Sequence, residues 1–237
     1  MRLEGQVIII TGASSGIGKA TAGVLSRAGM KCVLTGRAVE RLEALAATLG
    51  EAAVCAGDIT DPQLPGRLIA TAQERFGRLD AVFNNAGVMN IGSVEDADIE
   101  ALCRMIRVNY EALVRLSYHA LRLFKQQRRG FLINTSSLAG LKTFPRFGVY
   151  NGTKFAVEAL TDSLRMEMAG TGVRVACVAP GRTRTHLFDH WPEDQKFNPA
   201  DGMLDPEAIA NAVRFVLEQP EDVVIPRMLV MPSRQPT

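Results

Sequence analysis

The sequence predicts an α/β fold: one doubly wound domain with a mostly parallel sheet and helices on both faces. Three observations carry that expectation. Short β-branched runs alternate with longer stretches of helical period, the order expected of strands joined by helical crossovers. The short runs are apolar at nearly every position, as strands buried on both faces of a parallel sheet must be. A chain of 237 residues with 47% hydrophobic and 22% charged residues also has the balance needed to bury a sizeable core. No internal repeat, low-complexity tract or linker marks a second domain, so 1–237 is read as a single domain.

The elements follow in order. V-I-I-I-T at 7–11 is the first strand, and a glycine-rich turn leads from it into a helix over 17–29. K-C-V-L-T at 31–35 and A-A-V-C-A at 52–56 are strands, followed by helices over 38–49 and 63–76. A-V-F-N at 81–84 precedes one long helix over 98–127, and F-L-I-N-T at 131–135 precedes a helix over 150–169. V-R-V-A-C-V at 173–178 is the sixth strand, and a helix follows over 206–218. V-V-I-P-R-M-L-V at 223–230 adds a last strand, confined to an edge or a bulge because Pro226 has no N–H to give the ladder. Between the sixth strand and the 206–218 helix the chain makes an excursion longer than an ordinary connection, and 186–203 is read as a substrate-binding lobe or lid.

Composition excludes several classes. Lys plus Arg, 27, against Asp plus Glu, 25, leaves +2, too little for a nucleic-acid or anionic-membrane surface. The apolar run before Thr11 is four residues long, short of a signal-peptide core or a spanning helix, so neither export nor membrane insertion is expected. Cys32, Cys55, Cys103 and Cys177 form no C-x-x-C pair and are read as buried free thiols, consistent with a reducing cytoplasm. His186 and His190 have i, i+4 spacing, but no H-E-x-x-H pattern or third ligand accompanies them, and no metal is expected.

The first strand runs directly into T-G-A-S-S-G-I-G. Gly12, Gly16 and Gly18 let the backbone approach a pyrophosphate, and the next helix offers its unpaired N-terminal N–H groups. Further along stand N-N-A-G at 84–87, Asn109 in R-V-N-Y, and Ser137 thirteen residues before Tyr150. Tyr150-N-G-T-Lys154 gives Y-x-x-x-K, and Pro180-Gly181 with Thr185 gives P-G-x-x-x-T. In this combination and order the chain resembles the short-chain dehydrogenase/reductase family, in its short, single-domain type with a Rossmann-like fold.

Tyr150 and Lys154 share one face of a helix, and a neighbouring ammonium lowers a phenol's pKa, making Tyr150 the candidate general acid and base. The resemblance prefers Ser137 to Ser136, since its spacing to Tyr150 and the following L-A-G fit the family pattern, and Ser137 would hold and polarise the substrate oxygen. The resemblance implies that Lys154 also holds the cofactor ribose and that Asn109 binds a water linking Lys154 to solvent. It further implies a cofactor site of Gly12, Ser14, Ser15, Gly16, Ile17, Gly18, Asp58, Ile59, Asn85, Ala86, Gly87, Tyr150, Lys154, Pro180, Gly181, Thr183 and Thr185. Asn84 is read instead as a tie between strands. Gly36 stands where an acid would accept the ribose 2′-OH of NAD, and Arg37 follows, with Ser14 and Arg41 as helpers. The cofactor is therefore read as NADP(H) rather than NAD(H).

The expected function is an NADP-dependent oxidoreductase interconverting a secondary alcohol and its ketone, and no nucleic-acid or membrane partner is expected. A catalytically silent NADP-binding sensor or scaffold is the rival, disfavoured by the complete Asn109, Ser137, Tyr150, Lys154 set. Arg146, Arg182 and Arg184 make the segments flanking the site basic, which suggests a carboxylate-bearing substrate such as a 3-hydroxy acid; the alternative is that they face solvent or an interface. The resemblance also implies a homodimer or homotetramer formed through the 98–127 and 150–169 helices.

Overall fold

The computed structural model describes residues 2–189, 191 and 202–235. Seven strands form one parallel sheet in the order β3-β2-β1-β4-β5-β6-β7. They are β1 (Val7–Thr11), β2 (Lys31–Thr35), β3 (Ala52–Val54), β4 (Ala81–Asn84), β5 (Gly130–Thr135), β6 (Val173–Pro180) and β7 (Arg227–Val230). The helices are α1 (Gly16–Arg27), α2 (Val39–Ala46), α3 (Leu64–Phe76), α4 (Ile99–Ile106), α5 (Ala112–Gln127), α6 (Gly148–Glu167) and α7 (Pro206–Glu218).

The period of two along each strand builds the two layers. Ile8 and Ile10 of β1, Phe131 and Ile133 of β5, and Ala176 and Val178 of β6 point to one face, packing with Leu25 of α1, Leu42 of α2 and Val213 of α7. Their neighbours Val7, Ile9, Leu132 and Val175 point to the other, against Leu68 of α3, Phe124 of α5 and Leu164 of α6. Every residue of β1 is buried, which is why that strand reads as an unbroken apolar run. The strand order reverses between β1 and β4, so their C-terminal ends diverge into a crevice.

Four expectations are corrected. The single 98–127 helix is interrupted by a π turn at Arg107–Glu111, an inserted residue that a 3.6-residue hydrophobic period does not reveal. The third strand ends at Val54 rather than 56. Of the four free thiols, Cys32 and Cys177 are buried, but Cys55 is half-buried and Cys103 is exposed on α4. The last strand takes the edge position expected but is shorter, Arg227–Val230 rather than 223–230: Pro226 immediately precedes β7, and its carbonyl accepts from Cys177 N at 2.9 Å. Of the 186–203 excursion, 190 and 192–201 lie outside the described residues. Its two roots are joined, Leu204 N donating to Arg182 O and Arg184 N to Leu204 O, both at 2.9 Å. Among the described residues no helix is long and apolar enough to cross a membrane.

Candidate active site

A cleft of about 630 Å³ runs along the C-terminal ends of the strands, lined by the turns that follow β1, β2, β3, β4, β5 and β6. At the β1 turn Gly12 and Gly16 have φ of +66° and +51°, a region costly for residues with a Cβ. A Cβ on Gly12 would also lie 3.0 Å from Ala86 Cα. Ser15 stands at the N-cap of α1 but makes no side-chain capping hydrogen bond. The first turn of α1 therefore opens into the cleft with its N–H groups uncapped, the arrangement that receives a phosphate.

Gly18 departs from the expectation that it lines the cofactor site. It is buried outside the cleft lining, and a Cβ there would be 2.3 Å from Gly12 O, so it lets α1 pack against its own entry turn. The Asn-Asn-Ala-Gly segment is fixed by Thr11, whose Oγ1 accepts from Asn85 N at 2.8 Å and Ala86 N at 2.9 Å. Asn84 does tie strands and helices together: its amide donates to Ser117 Oγ on α5 at 3.0 Å and to Asn134 Oδ1 on β5 at 2.9 Å. Asn134 in turn donates to Thr161 Oγ1 on α6 at 2.9 Å.

At the end near β2 and β3, Ser14, Gly36, Arg37, Asp58 and Ile59 line the cleft, whereas Arg41 does not. Hydrogen bonds from Thr60, backbone at 2.9 Å and hydroxyl at 2.7 Å, hold the Asp58 carboxyl below the usual range, with Arg37 and Arg104 adding to the effect. Arg104, from α4, stands 4.0 Å from Asp58 and lines the cleft without any signal in the sequence.

At the other end β5 delivers Ser136 and Ser137, and α6 delivers Tyr150 and Lys154. The two serines divide their tasks. Ser136 Oγ donates to Lys154 O at 3.4 Å, while Ser137 hydrogen-bonds the Tyr150 phenol and caps the short turn Leu138–Gly140 through Ala139 N. Gly140 permits that turn to lie against α6, since a Cβ would meet Ser136 Oγ at 2.4 Å. Lys154 Nζ donates to Thr135 O at 2.9 Å and sits 5.8 Å from the centre of the Tyr150 ring.

Tyr150 and Lys154 are each only 6% exposed, and burial dominates both titrations. Burial pushes the phenol up to about 12, opposed by the Ser137 hydrogen bond, and pulls the ammonium down to about 8. The lowered phenol expected from i, i+4 spacing is thus opposed here: desolvation outweighs the Ser137 hydrogen bond, the one cause that acts to lower it. Asn109 lies in the π turn and not on the cleft wall. Its amide brackets the strand-β4 loop, accepting from Val88 N and donating to Val88 O, both at 2.8 Å. The same amide also donates to Thr153 Oγ1 on α6 at 3.4 Å, so both of its N–H groups are taken up within the protein.

The wall beside Tyr150 is apolar and aromatic. Met89, Phe144, Phe147, Leu187, Phe188 and Trp191 pack with Tyr150, and the Phe147 and Trp191 rings meet edge to face at 5.8 Å. Of the three arginines expected to make this end basic, only Arg182 lines the cleft. Arg184 is exposed and pairs with Asp205 at 3.1 Å, and Arg146, at φ +68°, is exposed outside it. Gln235 reaches the cleft from the C-terminal tail, its Oε1 accepting from Arg182 N at 2.8 Å. His186 pairs with Asp189 at 2.6 Å, and His190 lies outside the described residues. Among the described residues no group of three or more His, Cys, Asp or Glu is placed to hold a metal.

The cleft, with its glycine-lined phosphate seat at the switch point of a parallel sheet, belongs to a dinucleotide-binding α/β protein. A family model described as short chain dehydrogenase matches residues 6–196, and the chain belongs to that family. An uncharacterized oxidoreductase of Listeria monocytogenes is 37% identical over the whole of both chains. Among solved structures, an alcohol dehydrogenase from the archaeon Thermococcus sibiricus, complexed with 5-hydroxy-NADP, is 31% identical with a TM-score of 0.89 over 98% of each chain. A serine dehydrogenase complexed with NADP+ is 27% identical with a TM-score of 0.90, over 98% of this chain and 97% of that one. The protein is an NAD(P)-dependent oxidoreductase acting on CH–OH groups.

Proposed function

We propose that this enzyme uses NADP(H) to interconvert a secondary alcohol with a sizeable apolar body and its ketone. The observation that carries the reading is the convergence of Ser137, Tyr150 and Lys154 at one end of a cleft whose other end presents Arg37 and no carboxylate at Gly36. The cleft fits the cofactor in its own geometry. The glycine turn leaves no room for side chains at Gly12, the N-terminus of α1 is uncapped, and Arg37 supplies a cation where a 2′-phosphate would lie. NADP complexes of both structural neighbours support the same preference.

The bound nicotinamide supplies or accepts the hydride. In reduction the Tyr150 hydroxyl donates its proton to the carbonyl oxygen, and in oxidation the phenolate takes it back. A phenol pushed up to about 12 is fully protonated near neutrality, the form a general acid needs. Ser137 orients the same oxygen, and the Lys154 ammonium stabilises the phenolate left when the proton goes. The aromatic wall around Tyr150 excludes water and favours an apolar substituent on the carbonyl carbon. With this set assembled, a catalytically silent sensor has no observation in its favour.

A 3-hydroxy acid remains the second substrate class. Arg182 on the cleft wall and the serine dehydrogenase neighbour, whose named substrate is itself a 3-hydroxy acid, support it. The test is NADPH oxidation with an aryl ketone, a 3-oxo acid and the methyl ester of that acid, on the parent and on Tyr150→Phe. Turnover of ketone and ester above that of the acid supports the apolar reading. Preference for the acid, lost on Arg182→Ala, supports the acid reading. Turnover by Tyr150→Phe within twofold of the parent sinks both, since removing a general acid should cost ~10²–10⁴-fold. Exposed Tyr118 on α5, with Phe155 and Met166 on α6, supports pairing of these helices between subunits, which light scattering would show as a dimer or tetramer.

A further inference from the structure

One helical turn beyond Lys154, a buried carboxylate has no place in the mechanism so far. Glu158 is 7% exposed and lines not the active-site cleft but a second cavity of about 210 Å³, together with Cys177 and Arg227. A carboxylate taken out of water at this depth is costly unless its oxygens are matched. Here each has a partner: Arg227 Nε of β7 donates to Oε2 at 2.7 Å, and the Cys177 thiol of β6 donates to Oε1 at 3.5 Å.

We propose that Glu158, restrained by Arg227, is a positioning residue that sets the charge on Lys154 without touching substrate or cofactor. The proposal rests on the Tyr150–Lys154 reading above. Glu158 and Lys154 are i+4 and i on α6, so their side chains leave the helix on one face with Cβ atoms about 5–6 Å apart. Lys154 has a carbonyl, Thr135 O, as its direct hydrogen-bond partner, and a carbonyl carries no formal charge to balance an ammonium. Burial works against that ammonium, and a nearby anion works for it. A thiolate at Cys177 would act in the same sense, but burial holds that thiol well above its usual range, so near neutrality the carboxylate supplies the negative charge.

The other groups around the pair have weaker claims. Tyr150 precedes Lys154 on α6, and Tyr110 of the π turn packs on the cluster that contains Cys177. Asp162 and Arg165, further along α6, pair with each other at 2.7 Å. Arg227 is the opposing cation, but its side chain is 47% exposed against 7% for Glu158, so water screens it more. Of the two, the carboxylate's field acts on Lys154 the more strongly.

The two partners of this ion pair should therefore act in opposite directions. Removing the carboxylate leaves Lys154 facing Arg227 alone, whereas removing Arg227 leaves it facing an uncompensated anion. A role limited to holding β7 on α6 would make both substitutions act alike. The experiment is NMR titration of protein labelled with ¹³C at lysine Cε, with the Lys154 signal assigned by its loss in Lys154→Arg. In Glu158→Gln the Lys154 midpoint should fall by about 0.5 pH unit or more, and in Arg227→Met it should rise by a smaller amount, because the more exposed guanidinium is screened. Movement of both in one direction, or of neither, overturns the proposal. The titration needs neither cofactor nor turnover. Failure of the catalytic reading would appear separately, as a Tyr150→Phe variant that still turns over.

Discussion

Lys154 should cost the fold stability in return for its chemistry, and the cost follows from the structure. Burial takes its ammonium from the ordinary value of 10.5 to about 8. That gap, charged at 1.36 kcal/mol per pH unit, is a penalty of about 3 kcal/mol whenever the ammonium is kept in the fold. Lys154→Met preserves an unbranched chain of similar length and removes the charge. It also removes the 2.9 Å hydrogen bond to Thr135 O, worth about 1 kcal/mol. The variant should be more stable than the parent by about 2 kcal/mol at pH 7, a Tm higher by about 4–8 °C for a chain of this size, while losing turnover. The sign with pH is fixed by linkage. Between about 8 and 10.5 the unfolded lysine holds a proton that the folded one has released, so parent stability rises with pH across that window. The advantage of Lys154→Met should thus be full below pH 8 and shrink toward pH 10.5. Denaturant unfolding of both proteins at pH 7 and pH 10 measures it. A variant that is less stable at pH 7, or an advantage that grows with pH, would refute the burial argument.

Further outcomes follow from single contacts. Arg37→Asp exchanges a cation for an anion beside Gly36 and should lower the NADPH-over-NADH preference at least tenfold by calorimetric titration, a change of about 1.4 kcal/mol; an unchanged ratio removes Arg37 from the specificity argument. Gly18→Ala drives a Cβ to 2.3 Å from Gly12 O, so α1 must shift; cofactor affinity should fall at least tenfold, and an unchanged Kd would show that the turn tolerates the shift. Asp80, buried at 3%, accepts from Val7 N at 2.9 Å and from Arg78 through both oxygens at 2.7 Å; Asp80→Ala should destabilise by about 3–5 kcal/mol in urea melts, because it orphans a buried donor and a partly buried cation together.

What could be read from the chain depended on the range of the physics involved. Strands and glycine turns are local: the apolar run Val7–Ile10 and the positive φ of Gly12 and Gly16 are written in neighbouring residues, and so is the shared face of Tyr150 and Lys154. Burial is not local. Spacing placed an ammonium beside the phenol, but the phenol is shielded in part by Met89 and Trp191, which arrive from segments far from α6 in the chain. The pKa direction of Tyr150 is therefore opposite to the one the spacing suggests. Charge pairing across the fold is hidden in the same way. Arg184 reads as a pocket cation until Asp205 is brought to it across the 186–203 excursion, and nothing in the sequence places Arg104, which remains largely exposed, within 4.0 Å of Asp58. The π turn is hidden differently, since one inserted residue leaves the hydrophobic pattern of 98–127 intact on both sides while it turns Asn109 onto the Val88 backbone. The chemistry-bearing residues of this site are thus legible as identities and spacings, but their protonation states belong to the packed fold. Glu158 shows the consequence: it is an unremarkable i+4 carboxylate in the sequence, and only Arg227, 69 residues away, and Cys177 make it a buried charge able to act on Lys154.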